Sequence, residues 1–311
     1  MTTLQAALTR TRIARIPVRT RQRYRFVFLV LAPVMALFIY LRVFPTLQTL
    51  FMSVFDWQLV APAKAFVGLD NYTRLVGDAN FRLAFFNTTL FAFATTAISV
   101  IVALAIASVL ARAIGGRIGA FLELLYFAPV LLPLVPVTLG WRWIFDYQHG
   151  ILNAALGIFG IGRVPWITDT NTALISVIIL SVWKQIGYNM IIFIVGIRAI
   201  PQLYHEAAAV DGASAWQQFR HITLPLLAPV TLFVVVITTI TAYNVFTQVY
   251  VLASDVQGAP GKLVRVLVYD IFENGFRFFN MGYAAAEGVY LFAIILVLTA
   301  IQFRFVRSAP E

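Results

Sequence analysis

A few polar and aromatic side chains sit inside stretches that are otherwise apolar: Trp183, Lys184, Tyr188 and Asn189 in one, Tyr243, Asn244 and Gln248 in the next, and Glu287 in the last. Lys184 falls near the middle of its stretch and Glu287 a few residues inside the end of its own. Charge at such depth is costly in lipid and by default faces a bundle interior or water. Amides, an ammonium and aromatic faces are the groups along which a hydroxyl-rich solute can move. The same groups also join helices by interhelical hydrogen bonds, so residue type alone leaves both readings open. Asn244 and Gln248 are four apart and would share one face of a continuous helix. Covalent chemistry is not indicated. The chain has no cysteine, which removes thiolate nucleophiles and thiolate metal sites. His149, His205 and His221 lack metal-ligand spacing. Gly261-Lys262 lacks the other residues of a phosphate-binding loop. No catalytic set, no metal site and no cofactor on this chain is expected.

A second pattern lies between two apolar stretches, where residues 206–225 read EAAAVDGASAWQQFRHITLP. Glu206 and the alanines after it favour helix. Gly212 can take a positive φ and end it. Ser214 can cap a second short helix, on which Trp216 and Phe219, three apart, share a face. Leu224-Pro225 then opens the next apolar run, where proline is tolerated in a first turn. Such a helix-turn-helix offers small residues for close backbone approach and an aromatic pair for a partner's pocket. An ordinary surface loop resting its aromatics on headgroups fits the composition equally well.

The elements that carry these groups follow from composition. Of 311 residues, 61% are hydrophobic and only 12% charged, against about half and about a quarter in a soluble domain. Six segments are long and apolar enough to span a bilayer: about 26–53, 84–111, 120–145, 171–198, 226–253 and 282–305. The first runs well past signal-peptide length and is read as a retained span. Helices are expected because they satisfy their own backbone groups in lipid. The chain is thus read as an all-α integral membrane protein of six transmembrane helices. Residues 1–25 form a basic arm, 26–305 the membrane domain with its loop 199–225, and 306–311 a tail. Pro129, Pro133 and Pro136 predict a kinked or broken third span.

Orientation follows from the cations. Arg10, Arg12, Arg15, Arg19, Arg21, Arg23 and Arg25 precede the first span with no acid among them. Arg112, Arg117, Arg198, Arg220, Arg304 and Arg307 fall on the same side, whereas the opposite loops mix basic residues with most of the acids. Both termini, and the loop 199–225, are therefore placed in the cytoplasm. The arm lacks interleaved aromatics, so nucleic acid is not an expected partner; the bilayer is.

The spacing E-A-A-x3-G-x9-I-x-L-P, met here by Glu206, Ala207, Ala208, Gly212, Ile222, Leu224 and Pro225, resembles the EAA signature of permease subunits of binding-protein-dependent ABC importers. The resemblance is to the sugar-type, maltose and glycerol-3-phosphate permease-like group, and extends over residues 26–305. Phe66-Val67-Gly68-Leu69-Asp70-Asn71-Tyr72, Asn87-Thr88-Thr89, Pro165-Trp166, Trp183, Ile200-Pro201 and Gly282-Tyr283-Ala284 fit it as well. One segment departs: Ser254–Gly261 reads SDVQGAPG where the family usually carries a threonine-glycine-glycine-proline run, which puts the role of that external loop in doubt.

The resemblance implies a type I ABC importer permease fold in the membrane of a prokaryotic cell. It implies half of a channel completed by a second homologous permease, two ATPase subunits that bind the ATP and Mg, and an extracytoplasmic solute-binding protein. Glu206, Ala207, Ala208, Asp211, Gly212, Trp216, Phe219 and Pro225 would belong to the ATPase-coupling loop. Trp183, Lys184, Tyr188, Asn189, Tyr243, Asn244, Gln248 and Glu287 are the candidate substrate path. The expected cargo is a carbohydrate such as an oligosaccharide; the alternative is glycerol 3-phosphate or another phosphate ester. An ion-coupled secondary transporter is the rival of another class, and it needs acids at the midplane, where Glu287 does not lie.

Overall fold

A computed structural model describes residues 18–60, 64–112, 116–253 and 264–306. The first arginines of the basic arm, the departing loop 254–261 and the tail after Val306 lie outside the described residues.

Two units divide the chain at Phe51. The first contains α1 (Val18–Phe38), a π-helical stretch Ile39–Val43 and all but the last residue of α2 (Phe44–Met52). Its helix begins inside the basic segment, at Val18, ahead of the expected start at Phe26. Pro45 cannot donate to the preceding turn, and the π stretch directly before it absorbs that loss. The apolar side chains along this unit are exposed, as befits a surface solvated by lipid.

The second unit opens with a two-stranded ribbon, β1 (Phe55–Asp56) antiparallel to β2 (Ala65–Phe66), with Phe55 opposite Phe66. Helices follow: α3 (Asp70–Gly77), α4 (Ala79–Arg112), α5 (Gly116–Leu131), α6 (Leu134–Ile144), α7 (Ile151–Ile158) and α8 (Thr170–Arg198). Then come α9 (Gln202–Val210), α10 (Ala215–Gln218), a π stretch Phe219–Thr223, α11 (Leu224–Leu226) and α12 (Ala228–Tyr243). The rest are α13 (Thr247–Ala253), α14 (Leu267–Phe272), a π stretch Glu273–Arg277 and α15 (Met281–Val306). Acids set two of the helix starts: Asp169 accepts from the Asn171 N–H at 2.9 Å to cap α8, and Asp78 accepts from the Asn80 N–H at 2.8 Å ahead of α4. Burial works to raise the Asp78 carboxyl, but the Tyr283 hydroxyl at 2.7 Å and the backbone donors outweigh it and hold it below the usual carboxylate range.

Four helical segments are each long and apolar enough to cross a membrane, and two bent pairs raise the number to six. One bent pair is α5 with α6, which turn through 100°. The cause is chemical. Pro133 and Pro136 lack the N–H groups that helical bonding would direct to the carbonyls of Pro129 and Leu132. The second pair bends by 67° before Ala228. The fifth span is also interrupted beyond α12, because Asn244 ends that helix and α13 restarts at Thr247. This corrects the expectation of one continuous helix over 226–253.

The core runs along α4 and α8. Ala103 and Ala107 are fully buried on one face of α4 and let α8 approach closely. One apolar cluster surrounds Phe91, Leu180 and Tyr243, another Phe193, Met190 and Val234. Buried Asn189 accepts from the Thr238 hydroxyl at 3.2 Å and donates to Ser99 Oγ at 3.4 Å, so one side chain joins α8 to α12 and α4. Gly187 is where α8 meets α5: a Cβ there would lie 2.1 Å from the Tyr126 carbonyl oxygen. Gly187→Ala must push the helices apart, and we expect the assembled protein to lose more than half its yield and several degrees of thermal midpoint. Size-exclusion chromatography with a thermal scan checks this; an unchanged profile would show that the contact is not required.

Candidate functional site

The loop between α8 and α12 adopts the expected helix-turn-helix. Gly212 takes φ +79°. The Ala213 N–H reaches the Ala208 carbonyl at 2.9 Å and the Gly212 N–H the Ala209 carbonyl at 3.1 Å, which is the paired closure of a Schellman turn. Ser214 and Gln217 form a reciprocal capping box at α10. Trp216 and Phe219 pack ring to ring at 5.5 Å between centroids, and Pro225 sits in the first turn of α11. Glu206, Ala207, Asp211 and Gly212 are exposed and Ala208 is half-buried.

Exposed beside them are Leu203, Tyr204 and Val210, the last at 89%. Sequence reading passed over these three, although their apolar character in a polar loop was the available signal. The loop is anchored at its base by Arg198, the last residue of α8, whose guanidinium reaches Glu123 of α5 at 2.6 Å. Glu123, like Glu287, is an acid within a segment read as a span.

A cavity of about 370 Å³ opens among α4, α5, α6, α8, α12 and α13, lined by Lys184, Gln185, Tyr188, Thr241 and Gln248 among others. Of the candidate path, Lys184, Tyr188 and Gln248 therefore come together here. Trp183 packs edge-on against Trp141 at 5.5 Å. Asn189 is fully buried in the interhelical network. Tyr243 points its hydroxyl to Thr89 at 3.4 Å and lines a different, more apolar cavity. Asn244 is exposed and bonds back to the Ile240 carbonyl at 2.7 Å. Because the helix breaks after Asn244, its four-residue spacing to Gln248 does not place them on one face, a correction to the helical reading. Glu287 belongs to a separate polar cluster with Asn274. Thr95, Ser181 and Thr238 also line the first cavity; they were missed because small hydroxyls in apolar runs look like helix filler.

Lys184 has a definite partner set. Its Nζ donates to the Pro129 carbonyl at 2.9 Å and to the Leu132 carbonyl at 2.8 Å. Pro133 and Pro136 deny both carbonyls the donor four residues on, and the Pro129 carbonyl keeps only a 3.4 Å bond from the Leu132 N–H. The ammonium thus closes the break between α5 and α6, as a cation at a helix C-terminus does.

The remaining sequence motifs build a polar cap above the bundle. Buried Asn71 donates to the carbonyls of Ser53 and Phe55 at 2.9 and 3.0 Å. Asn87 donates to the Arg265 carbonyl at 3.0 Å, and Thr88 accepts from the Leu267 N–H at 2.8 Å. Trp166 donates its indole N–H to Asn153 at 3.0 Å. Gly282 has no room for a side chain, since a Cβ would sit 2.1 Å from the Phe55 carbonyl oxygen.

Residues 103–309 match the family described as binding-protein-dependent transport system inner membrane component. The chain belongs to this permease family. The permease is 33% identical over 287 residues to the sn-glycerol-3-phosphate transport system permease protein UgpA of Rhizobium meliloti, covering 90% of this chain and 94% of that one. It is 29% identical over 280 residues to the trehalose/maltose transport system permease protein MalF of Thermococcus litoralis, covering 90% and 93%. Its fold matches a chain in the crystal structure of a bacterial ABC transporter involved in import of the acidic polysaccharide alginate, with a TM-score of 0.82 at 20% identity over 94% and 99% of the two chains. The permease therefore has the type I importer fold and is a multi-pass membrane protein of a binding-protein-dependent system.

Proposed function

We propose that this permease forms half of the translocation path for a carbohydrate, and that residues 206–212 transmit force from an ATPase subunit. The observation that carries the reading is the loop itself: a doubly closed helix-turn-helix, exposed along Val210, Trp216 and Leu203, rigidly tied to the ends of α8 and α12. A second homologous permease completes the channel, two ATPase subunits bind the loops on the cytoplasmic side, and a solute-binding protein delivers cargo from outside. Both termini are cytoplasmic, as the arginine distribution requires.

The cavity supports a neutral, hydroxyl-rich cargo. Its polar lining is amide, hydroxyl and phenol, and the ammonium of Lys184 is committed to two backbone carbonyls. The second reading, a phosphate ester, draws on the similarity to UgpA and would need Lys184 to turn from those carbonyls to the cargo.

The absence of native cysteine allows a clean test. A photoreactive maleimide on Val210→Cys should cross-link the ATPase subunit in the assembled transporter on illumination. The same label on Ile158→Cys, 83% exposed and on the opposite side in the proposed topology, should not. Equal capture from both positions, or none from Val210, overturns the assignment of the loop.

A further inference from the structure

Above the ends of α4 and α15, buried charge is unevenly matched. Arg265, 8% exposed, pairs with Asp270 at 2.9 Å and with Glu273. Glu273 also accepts from Arg277 at 3.0 Å and from the Tyr269 hydroxyl at 3.3 Å. Glu287 is fully buried, yet among the described residues no lysine or arginine forms an ion pair with it. One of its oxygens accepts from Asn274 at 3.0 Å. Its other oxygen is buried without a hydrogen-bond donor, as are both oxygens of Asp270, the ion pair with Arg265 aside. Yet Glu287 and Asp270 face each other within hydrogen-bond reach. Two carboxylates in that position repel, and an unpaired buried anion is strongly disfavoured. A single proton removes the extra charge and joins the orphaned Glu287 oxygen to one of the Asp270 oxygens.

We propose that Glu287 holds this proton and donates it to Asp270, and that the neutral carboxyl is a positioning residue seating α14 and the Glu273–Arg277 turn on α15. The surroundings agree. The acids that face Asp270 from other elements, Asp78 and Glu273, both disfavour a further negative charge there. Burial pushes Asp270 up from the usual carboxylate range, and the hydrogen bond from Glu287, with Arg265 beside it, pulls the other way. Asp270 holds the Arg265 guanidinium at 2.9 Å while no described lysine or arginine pairs with Glu287, which makes Asp270 the ionised acceptor and Glu287 the donor. The segment so held is also pinned to α4 through Asn87 and Thr88, so its seat determines how the outer ends of α4 and α15 meet. The role of the pair is the same whichever solute is carried.

The test uses the assembled transporter in detergent. Infrared spectra of the wild type should show the carbonyl stretch of a neutral carboxylic acid, and that band should be missing from Glu287→Gln. Glutamine reproduces both bonds, an amide N–H toward Asp270 and a carbonyl toward Asn274, so uptake by this variant should stay within about twofold of wild type, whereas Glu287→Ala should lose about tenfold. A wild-type spectrum indistinguishable from that of Glu287→Gln overturns the proposal, whatever the uptake, because it leaves Glu287 ionised or bound to a cation. Failure of Glu287→Gln to outperform Glu287→Ala overturns the positioning role. The spectroscopic arm is read without transport, so its outcome is separate from that of the importer assignment.

Discussion

Gly212→Asp should reach the membrane at near wild-type level and yet lose uptake by at least about tenfold, with ATP hydrolysis no longer responding to the binding protein. The effect turns on what the new side chain meets inside this chain and what it does not. Gly212 lies at φ +79°, and no atom stands within 4 Å of where a Cβ would be. Aspartate visits the left-handed region more readily than most residues, and the backbone cost is about 1 kcal/mol. The Schellman closure from Ala213 and Gly212 to Ala208 and Ala209 uses backbone groups only, so it survives. A loss of coupling must then arise from what sits against the turn in the complex, where a side chain and a negative charge are added to a surface of small residues. Gly212→Asn separates the two contributions, having the same shape without the charge. Uptake and ATPase assays on proteoliposomes measure the effect, and wild-type uptake by Gly212→Asp would remove the loop from the coupling path.

Much of this was readable from residue order. The loop was legible because its signals are local: a capping serine, a glycine at a helix end and a proline in a first turn act within a few residues, and each did so. Spans were legible because lipid leaves the backbone one solution, and apolar length measures it. The interrupted fifth span was not, since nothing short-range at Tyr243–Phe246 breaks a helix. The side-chain path was legible only in part. Residue type marked Lys184, Asn189 and Glu287 as costly in lipid, but their roles depend on partners far along the chain: Pro129 and Leu132 for the first, Ser99 and Thr238 for the second, Asp270 and Asn274 for the third. The motifs of the polar cap had no visible task in sequence because their partners are brought from elsewhere in the chain, as the Arg265 carbonyl is to Asn87.

The second large effect is expected at Lys184, and its interest lies in how it should be reversed. Lys184→Met removes the donor to the carbonyls of Pro129 and Leu132. The former is partly buried and keeps only a long bond of 3.4 Å from the Leu132 N–H, so losing the ammonium costs about 1–2 kcal/mol. The bond to Leu132 is exposed, so water can substitute there at lower cost. The expected result is a fall of roughly 2–4 °C in thermal midpoint per kcal/mol lost and uptake lower by about tenfold as the bend between α5 and α6 loosens. If the lysine serves the break, the defect belongs to the prolines that made it. Pro133→Ala and Pro136→Ala restore the N–H groups that would otherwise serve those same carbonyls, so combining them with Lys184→Met should recover much of the stability. The combined change should be far less damaging than the sum of its parts, which a double-mutant cycle reads directly. A lysine that instead binds an anionic cargo predicts the opposite pattern. Uptake of a phosphate ester would then stay lost whatever replaces the prolines, while uptake of a neutral sugar would be spared in Lys184→Met alone. The same variants, assayed with both classes of cargo, therefore decide whether the ammonium belongs to the backbone or to the solute.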